Sequence, residues 1–218
     1  MKLLNENFSY LKKILQQDDI KHAIDTFDFE YVYRILCKNN GSAVSAFTKK
    51  LLDLGINPLE YMTYVPEYFL NGSDITTFKI PDHIKEIGEN AFWDCDCLTN
   101  IHIPNSIKKI GYSAFYNCAS LTSITIPDSV TSIGDAAFQG CSELVHIVIP
   151  DSVTSVGSSV FHGCTTLKSI TIGSNVTHIG DYTFQDCNNL EKIIIPKNFS
   201  NKRKWQQGLN KQTIIEYY

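Results

Sequence analysis

Apolar residues recur along this chain with two different spacings. Up to about residue 64 they fall three or four apart. Leu4, Phe8, Leu11 and Leu15 share one helical face, Phe29, Val32, Tyr33 and Leu36 a second, and Val44, Phe47, Leu51 and Leu54 a third. This spacing stacks side chains along one side of an α-helix. Asn40-Gly41, Gly55 and Asn57-Pro58, with Glu60 at the capping-box position, punctuate the segment. Short helices are therefore expected across residues 1–64.

From about Val65 the spacing changes to short alternating bursts that repeat every 23 residues. Phe92, Phe115, Phe138, Phe161 and Phe184 are each followed three residues later by Cys95, Cys118, Cys141, Cys164 and Cys187. A period of this length means a solenoid, since one such unit is too small to bury its apolar face except against its neighbours. Two isoleucine-rich columns, Phe78 to Ile193 and Ile80 to Ile195, alternate with polar residues as in a half-buried strand. Stacked, these strands predict a parallel sheet on one wall.

Pro81, Pro104, Pro127, Pro150 and Pro196 then stop each strand, with Gly173 in the remaining coil. Apolar residues at two later positions, Ile84 and Ile87 in the first such coil, are expected to point inward from the opposite wall. Gly88, Gly111, Gly134, Gly157 and Gly180 read as positions of positive φ or of a tight corner. A brief helical turn carrying Ala and Phe is expected to close each coil. Counting back 23 residues from Phe92 reaches Phe69, which puts Gly72 in the cysteine column and the start of the solenoid near Val65. At the other end TIIEYY reads as a final, irregular strand.

The phrasing SITIPDSVTSIGDAAFQGCSEL, with Pro, Gly, Phe and Cys at fixed offsets, resembles the BspA-type, or Treponema-type, leucine-rich repeat family over residues 65 to about 199. The resemblance implies a right-handed solenoid with its parallel β-sheet on the concave side. It also implies a binding framework of the kind found in secreted or surface-displayed adhesins. The expected organisation is a helical N-terminal cap over residues 1–64, the leucine-rich repeat solenoid over 65–199 and an irregular C-terminal cap over 200–218. Capping is required because a solenoid leaves apolar core exposed at both ends.

Charge narrows the partners. Residues 65–198 carry seven basic and fourteen acidic side chains, a net of −7, whereas residues 1–64 are neutral and residues 199–218 carry +3. An acidic solenoid repels phosphate backbones, so nucleic acid is not expected as a partner. The first residues lack a signal-peptide core, and no stretch approaches a membrane span. The chain is thus expected to be cytoplasmic, without a membrane partner and with reduced cysteines.

No motif for catalysis emerges. The cysteines lack the paired spacing of a zinc site, and no phosphate loop or nucleophile elbow is present. Asp128 and Asp151 precede serines after the proline turn, where Asx-type capping accounts for them. The chain is accordingly read as non-enzymatic, without metal or cofactor.

Binding residues are sought where the outward columns depart from Thr and Ser. On the concave sheet these are Lys79, His102, His146 and Val148. Ile194 also departs, but the C-terminal tail is expected to cover it. On the turn side, Trp93, Tyr112, Tyr116 and Tyr182 replace small or polar residues, and aromatic side chains are enriched at interaction hot spots. The functional expectation is a protein–protein interaction module, an intracellular binder or inhibitor of another protein. The alternative is part of a surface adhesin. Neither the partner nor the oligomeric state is legible from these residues.

Overall fold

A computed structural model describes residues 29–39, 41–53, 55–199 and 204–218. The first predicted helical face, Leu4 to Leu15, and Leu54 lie outside the described residues. The other two faces are buried in α1 (Phe29–Asn39) and α2 (Gly41–Asp53). Gly41 opens α2 where the sequence breaks, and Lys38 stands in the last turn of α1, the favourable end of the helix dipole for a cation. A 3₁₀ turn, Pro58–Tyr61, follows. Its N-cap is Asn57, whose side chain accepts from the Leu59 N–H at 3.1 Å.

The strands, in chain order, are β1 (Tyr64–Val65), β2 (Thr77–Lys79), β3 (Glu86–Ile87), β4 (Asn100–His102), β5 (Lys109–Ile110), β6 (Ser132–Ile133), β7 (His146–Ile149), β8 (Ser155–Val156), β9 (Ser169–Ile172), β10 (His178–Ile179), β11 (Lys192–Ile195) and β12 (Ile214–Tyr217). Every pairing is parallel. The concave wall holds β2–β4 and, further on, β7–β9–β11–β12. Between them residues 122–126 join the wall only through a bridge from Ser123 to His146. The opposite wall is a sheet in its own right, ordered β1-β3-β5-β6-β8-β10. The chain is therefore a parallel solenoid.

The phenylalanine ladder is fully buried. From Phe92 to Phe184 successive rings stack with centroids 5.3–6.0 Å apart and planes within 2–6° of parallel. The separations are those of offset stacking, which avoids face-to-face repulsion between π clouds. Each ladder cysteine donates its S–H to the carbonyl of the phenylalanine one coil back: Cys118 to Phe92, Cys141 to Phe115 and Cys164 to Phe138, all at 3.2 Å, and Cys187 to Phe161 at 3.0 Å. The three-residue offset between Phe and Cys thus pairs a buried donor with a buried acceptor.

Three sequence expectations are corrected. The recurrent glycines from Gly88 to Gly180 do not have positive φ. They are needed for close approach, because a Cβ at Gly134 would lie 2.7 Å from the backbone of Gly111 and Tyr112 in the coil before. Positive φ falls instead on Asn90, Ser113, Ala136, Ser159 and Tyr182, at 48–58°, and on a second column that includes Asp94, Asn117, Gly140, Gly163 and Asp186. The segment that closes each coil is accordingly two successive turns, not a helical turn. Its alternating handedness directs every second N–H at the next coil, as in Asn90 to Tyr112, Phe92 to Ala114 and Asp94 to Tyr116.

The third correction concerns the first coil, which is offset by 22 residues: Val65 pairs with Ile87, and Leu70 N–H donates to Ala91 as Phe92 does to Ala114. Gly72 therefore matches Asp94, and the cysteine column is filled by Ser73. Its buried hydroxyl has no partner, since no earlier coil supplies a carbonyl. The last coil repeats the contraction, with Lys192 paired to Ile214. At both ends the terminal aromatic meets the ladder edge-on: Phe69 on Phe92 at 75° and Trp205 on Phe184 at 86°.

The helices pack directly on the first coil. Tyr33 contacts Phe69 with centroids 6.0 Å apart, and its hydroxyl is bonded to Thr48 at 2.5 Å. Ser45 Oγ donates to the Asn71 carbonyl at 2.7 Å and Lys49 pairs with Asp74 at 2.6 Å. His83 Nε2 donates to the carbonyls of Leu59 and Met62, tying the 3₁₀ turn to the first coil.

Phe138 stacks on Phe115 and Phe161 together. Phe138→Ala is expected to cost about 3–5 kcal/mol in denaturant unfolding, the range for emptying a large, fully packed core site. A loss below about 1 kcal/mol would mean that the neighbouring rings close the gap.

Candidate functional site

Strand alternation turns Lys79, His102, His146 and Val148 outward on the concave wall, where all four are exposed. Lys79 and His102 are register partners on β2 and β4. His146 and Val148 share β7, and a ring nitrogen of His146 is bonded to Ser169 Oγ at 2.8 Å. Between the pairs runs an open groove. Its larger part, about 490 Å³, is lined by His146, Val148, Thr125 and Tyr218; a further 370 Å³ continues past the shared Ile124 and Thr125 to His102. The two histidines therefore flank one channel, with Lys79 beyond its end. Ile194 is half-buried and in register with Glu216 of β12, so the C-terminal strand lies beside it as expected.

Sequence reading missed one wall of this groove. Tyr218 reaches back two coils, where its hydroxyl donates to the Ile172 carbonyl at 2.7 Å. The strand end it meets is the one followed by Gly173 in place of proline, and both residues line the groove. The break in the proline column was the available signal. The aspartates also act differently from the expected local caps. Asp151 Oδ1 accepts from the Ser174 N–H of the following coil at 2.6 Å, which holds its carboxyl below the usual carboxylate range. Asp128 is exposed on the coil before.

The turn-side aromatics do not form one patch. Trp93 and Tyr116 meet edge-on with centroids 5.6 Å apart, and both are half-buried. Tyr112 and Tyr182 are each about half exposed but belong to different columns three coils apart, roughly 14 Å at the spacing of stacked strands. A recess of about 290 Å³ between α1 and the first coil is lined by Arg34, Cys37, Lys38, Tyr64, Pro66 and Glu67. Burial pushes the Cys37 thiol up to about 11.

All seven cysteines are free thiols. Burial drives the ladder thiols away from ionisation: Cys95, Cys141 and Cys187 are pushed up to about 12, and Cys118 and Cys164 well above the ordinary 9.0. A thiol held neutral is neither a nucleophile nor a metal ligand. Cys97 is exposed. Among the described residues no group of three His, Cys, Asp or Glu side chains gathers as a metal site, and no helix is long and apolar enough to cross a membrane.

A sequence profile for the BspA-type leucine-rich repeat region, in six copies, matches residues 63–191 and 140–206. Among solved structures, the leucine-rich repeat protein of T. pallidum is similar with a TM-score of 0.58 and 24% identity, over 69% of this chain and 72% of that one. The pneumococcal vaccine antigen PcpA aligns with a TM-score of 0.57 and 27% identity, over 71% of this chain and 38% of that one. A leucine-rich repeat protein from Eubacterium ventriosum gives 0.56 and 25%, over 71% and 44%. The chain thus spans less than half of each of the last two. No curated protein sequence matches it.

The ladder thiols make alkaline stability a test of their burial. A group whose pKa is raised on folding supports the fold fully below its unfolded pKa and loses that support as pH rises towards its folded one. Stability should therefore hold to about pH 9 and then fall towards pH 12, each ladder thiol contributing up to about 1.4 kcal/mol per pH unit. Urea midpoints measured across this window should show the fall, with a shallower slope in Cys141→Ala. A midpoint that stays flat to pH 11, or an unchanged slope in the variant, would mean that the thiols ionise without opening the fold.

Proposed function

Because this chain belongs to the BspA-type leucine-rich repeat family, a repeat scaffold that presents a surface for binding other proteins, we propose that it is a protein-interaction module whose partner lies in the concave groove. The observation that carries this reading is the continuity of the groove. His102, Thr125, His146 and Val148 line one channel, while the turn-side aromatics are split into a half-buried pair and two separated tyrosines. A rigid parallel sheet also holds these side chains without further ordering when a partner binds.

The module acts on an intracellular protein, as a binder or inhibitor. Its exposed Cys97 and half-buried Cys37 fit a reducing cytoplasm, because accessible unpaired thiols are oxidised elsewhere. The second reading, part of a surface adhesin, is favoured by the likeness to the pneumococcal vaccine antigen. Recovering Cys97 as a thiol from the native cell supports the first reading; finding the protein in the surface fraction supports the second.

The groove itself is tested with a photo-crosslinking residue at position 148 or, in separate chains, at 112 and 182. Crosslinks to a partner are expected from 148 and should disappear when Val148→Glu is introduced into a chain carrying the crosslinker at Thr125. Crosslinks from 112 or 182 alone would move the site to the turn side.

We also assign α1 and α2 the role of an N-terminal cap, supported by the packing of Tyr33, Ser45 and Lys49 on the first coil. Residues 65–218 expressed alone should aggregate or fray from the Phe69 end, with apolar core uncovered there. A soluble monomer with unchanged thermal stability would instead make the helices an independent domain.

A further inference from the structure

The groove carries the marks of the side chain it accepts. Val148 interrupts an otherwise polar stretch of its column and leaves 60% of its surface open. Tyr218 adds an aromatic wall, held by its hydroxyl on Ile172 and by backbone hydrogen bonds to Ile195 and Lys197. A wall fixed in this way loses little freedom when something lies against it. Beside this apolar stretch stand two carboxylates on successive coils, Asp128 and Asp151, which line the same groove.

Neither carboxylate is neutralised. Asp151 uses one oxygen on the Ser174 N–H, and Asp128 makes no hydrogen bond or ion pair among the described residues. The cations of the concave wall are engaged or distant: Lys192 pairs with Glu216, and Lys79 lies beyond His102. The surrounding solenoid carries a net of −7, so the field adds to the two local charges.

An apolar wall beside an unneutralised acidic rim suits an amphipathic cation, which rests its methylenes on carbon and keeps its charge at oxygen. We propose that the groove receives a lysine or arginine side chain of the protein partner, with its stem along Val148 and Tyr218 and its charged head at Asp128 and Asp151. This rests on the concave reading above. It supplies the chemistry of the partner: an exposed basic residue on an otherwise uncharged segment. A glutamate in that place meets two like charges, and a leucine leaves both carboxylates without a partner.

The test uses the full chain with methyl-labelled valine and short synthetic peptides of Ser, Thr and Gly around a central Lys, Arg, Leu or Glu. The Lys and Arg peptides should shift the Val148 methyl signals, less so as salt is raised, and the Glu peptide should not. Asp128→Asn with Asp151→Asn should weaken the basic peptides roughly threefold to tenfold. Asparagine keeps the acceptor for Ser174. Asp135→Asn with Asp181→Asn removes the same charge from the turn side and should leave binding unchanged. If the groove pair lowers the melting temperature, Asp128→Asn alone replaces it, because Asp128 holds nothing in the fold.

Equal shifts with the Leu or Glu peptide, no shift with any peptide, or equal weakening by both pairs of substitutions would overturn the proposal. The concave reading fails separately. Partner crosslinks from position 148 that survive Asp128→Asn with Asp151→Asn would keep the groove and discard the basic side chain. Crosslinks confined to positions 112 and 182 would discard both.

Discussion

One coil of this protein buries almost nothing by itself, so its fold depends on the register between each coil and the coil before it. Through the interior that register is 23 residues, and three systems obey it together. The two parallel sheets pair residue with residue, the phenylalanine rings stack nearly parallel, and each ladder thiol donates to the carbonyl of the previous phenylalanine. A slip of one residue would break all three, because side chains change face at every step of a strand. The inserted N–H to carbonyl bonds of the coil-closing turns add a further constraint, and they require left-handed residues at two columns per coil. Ala136 and Tyr182 occupy such positions without being glycine, at a cost of roughly 1–2 kcal/mol each. The packing around them is what holds that conformation.

The ends obey a different rule. Both terminal offsets contract to 22 residues, and both terminal aromatics arrive edge-on. An interior ring has a neighbour on each face; a terminal ring has one. Phe69 and Trp205 instead present an edge to the ladder, and Tyr33 of α1 packs on Phe69 from the other side. The chain thus changes both its spacing and its aromatic geometry where stacking stops.

What the sequence made legible follows from what repeats. Columns of identical residues reveal burial, because only a common environment demands a common side chain; the phenylalanine, isoleucine and cysteine columns were readable for that reason. The glycine column was readable as a constraint but not as to its kind, since close approach and positive φ both select glycine. Gly134 faces backbone, whereas the left-handed positions are held by Asn, Asp, Ser, Ala and Tyr and so left no single-residue mark. The first coil was misaligned because Phe69 sits at the arithmetic period, and a one-residue contraction is invisible to arithmetic. The outward columns correctly placed His102, His146 and Val148 on the surface. Alternation could not show that Tyr218 folds back over them, which depends on a hydrogen bond spanning 46 residues.

The unequal end offsets have a consequence for how such a chain can vary in length. A coil added or lost between Phe92 and Phe184 meets the same partner above and below, so it changes the molecule by one strand spacing, about 4.8 Å, and leaves the other contacts intact. Neither end can be copied inward, because its 22-residue step would shift every later column by one position. Tyr218 ties the far end of the groove to the closing strand. Lengthening the interior ahead of β7 would therefore extend the open channel while carrying its aromatic wall along unchanged, and the reach of the surface could grow independently of the chemistry at its end.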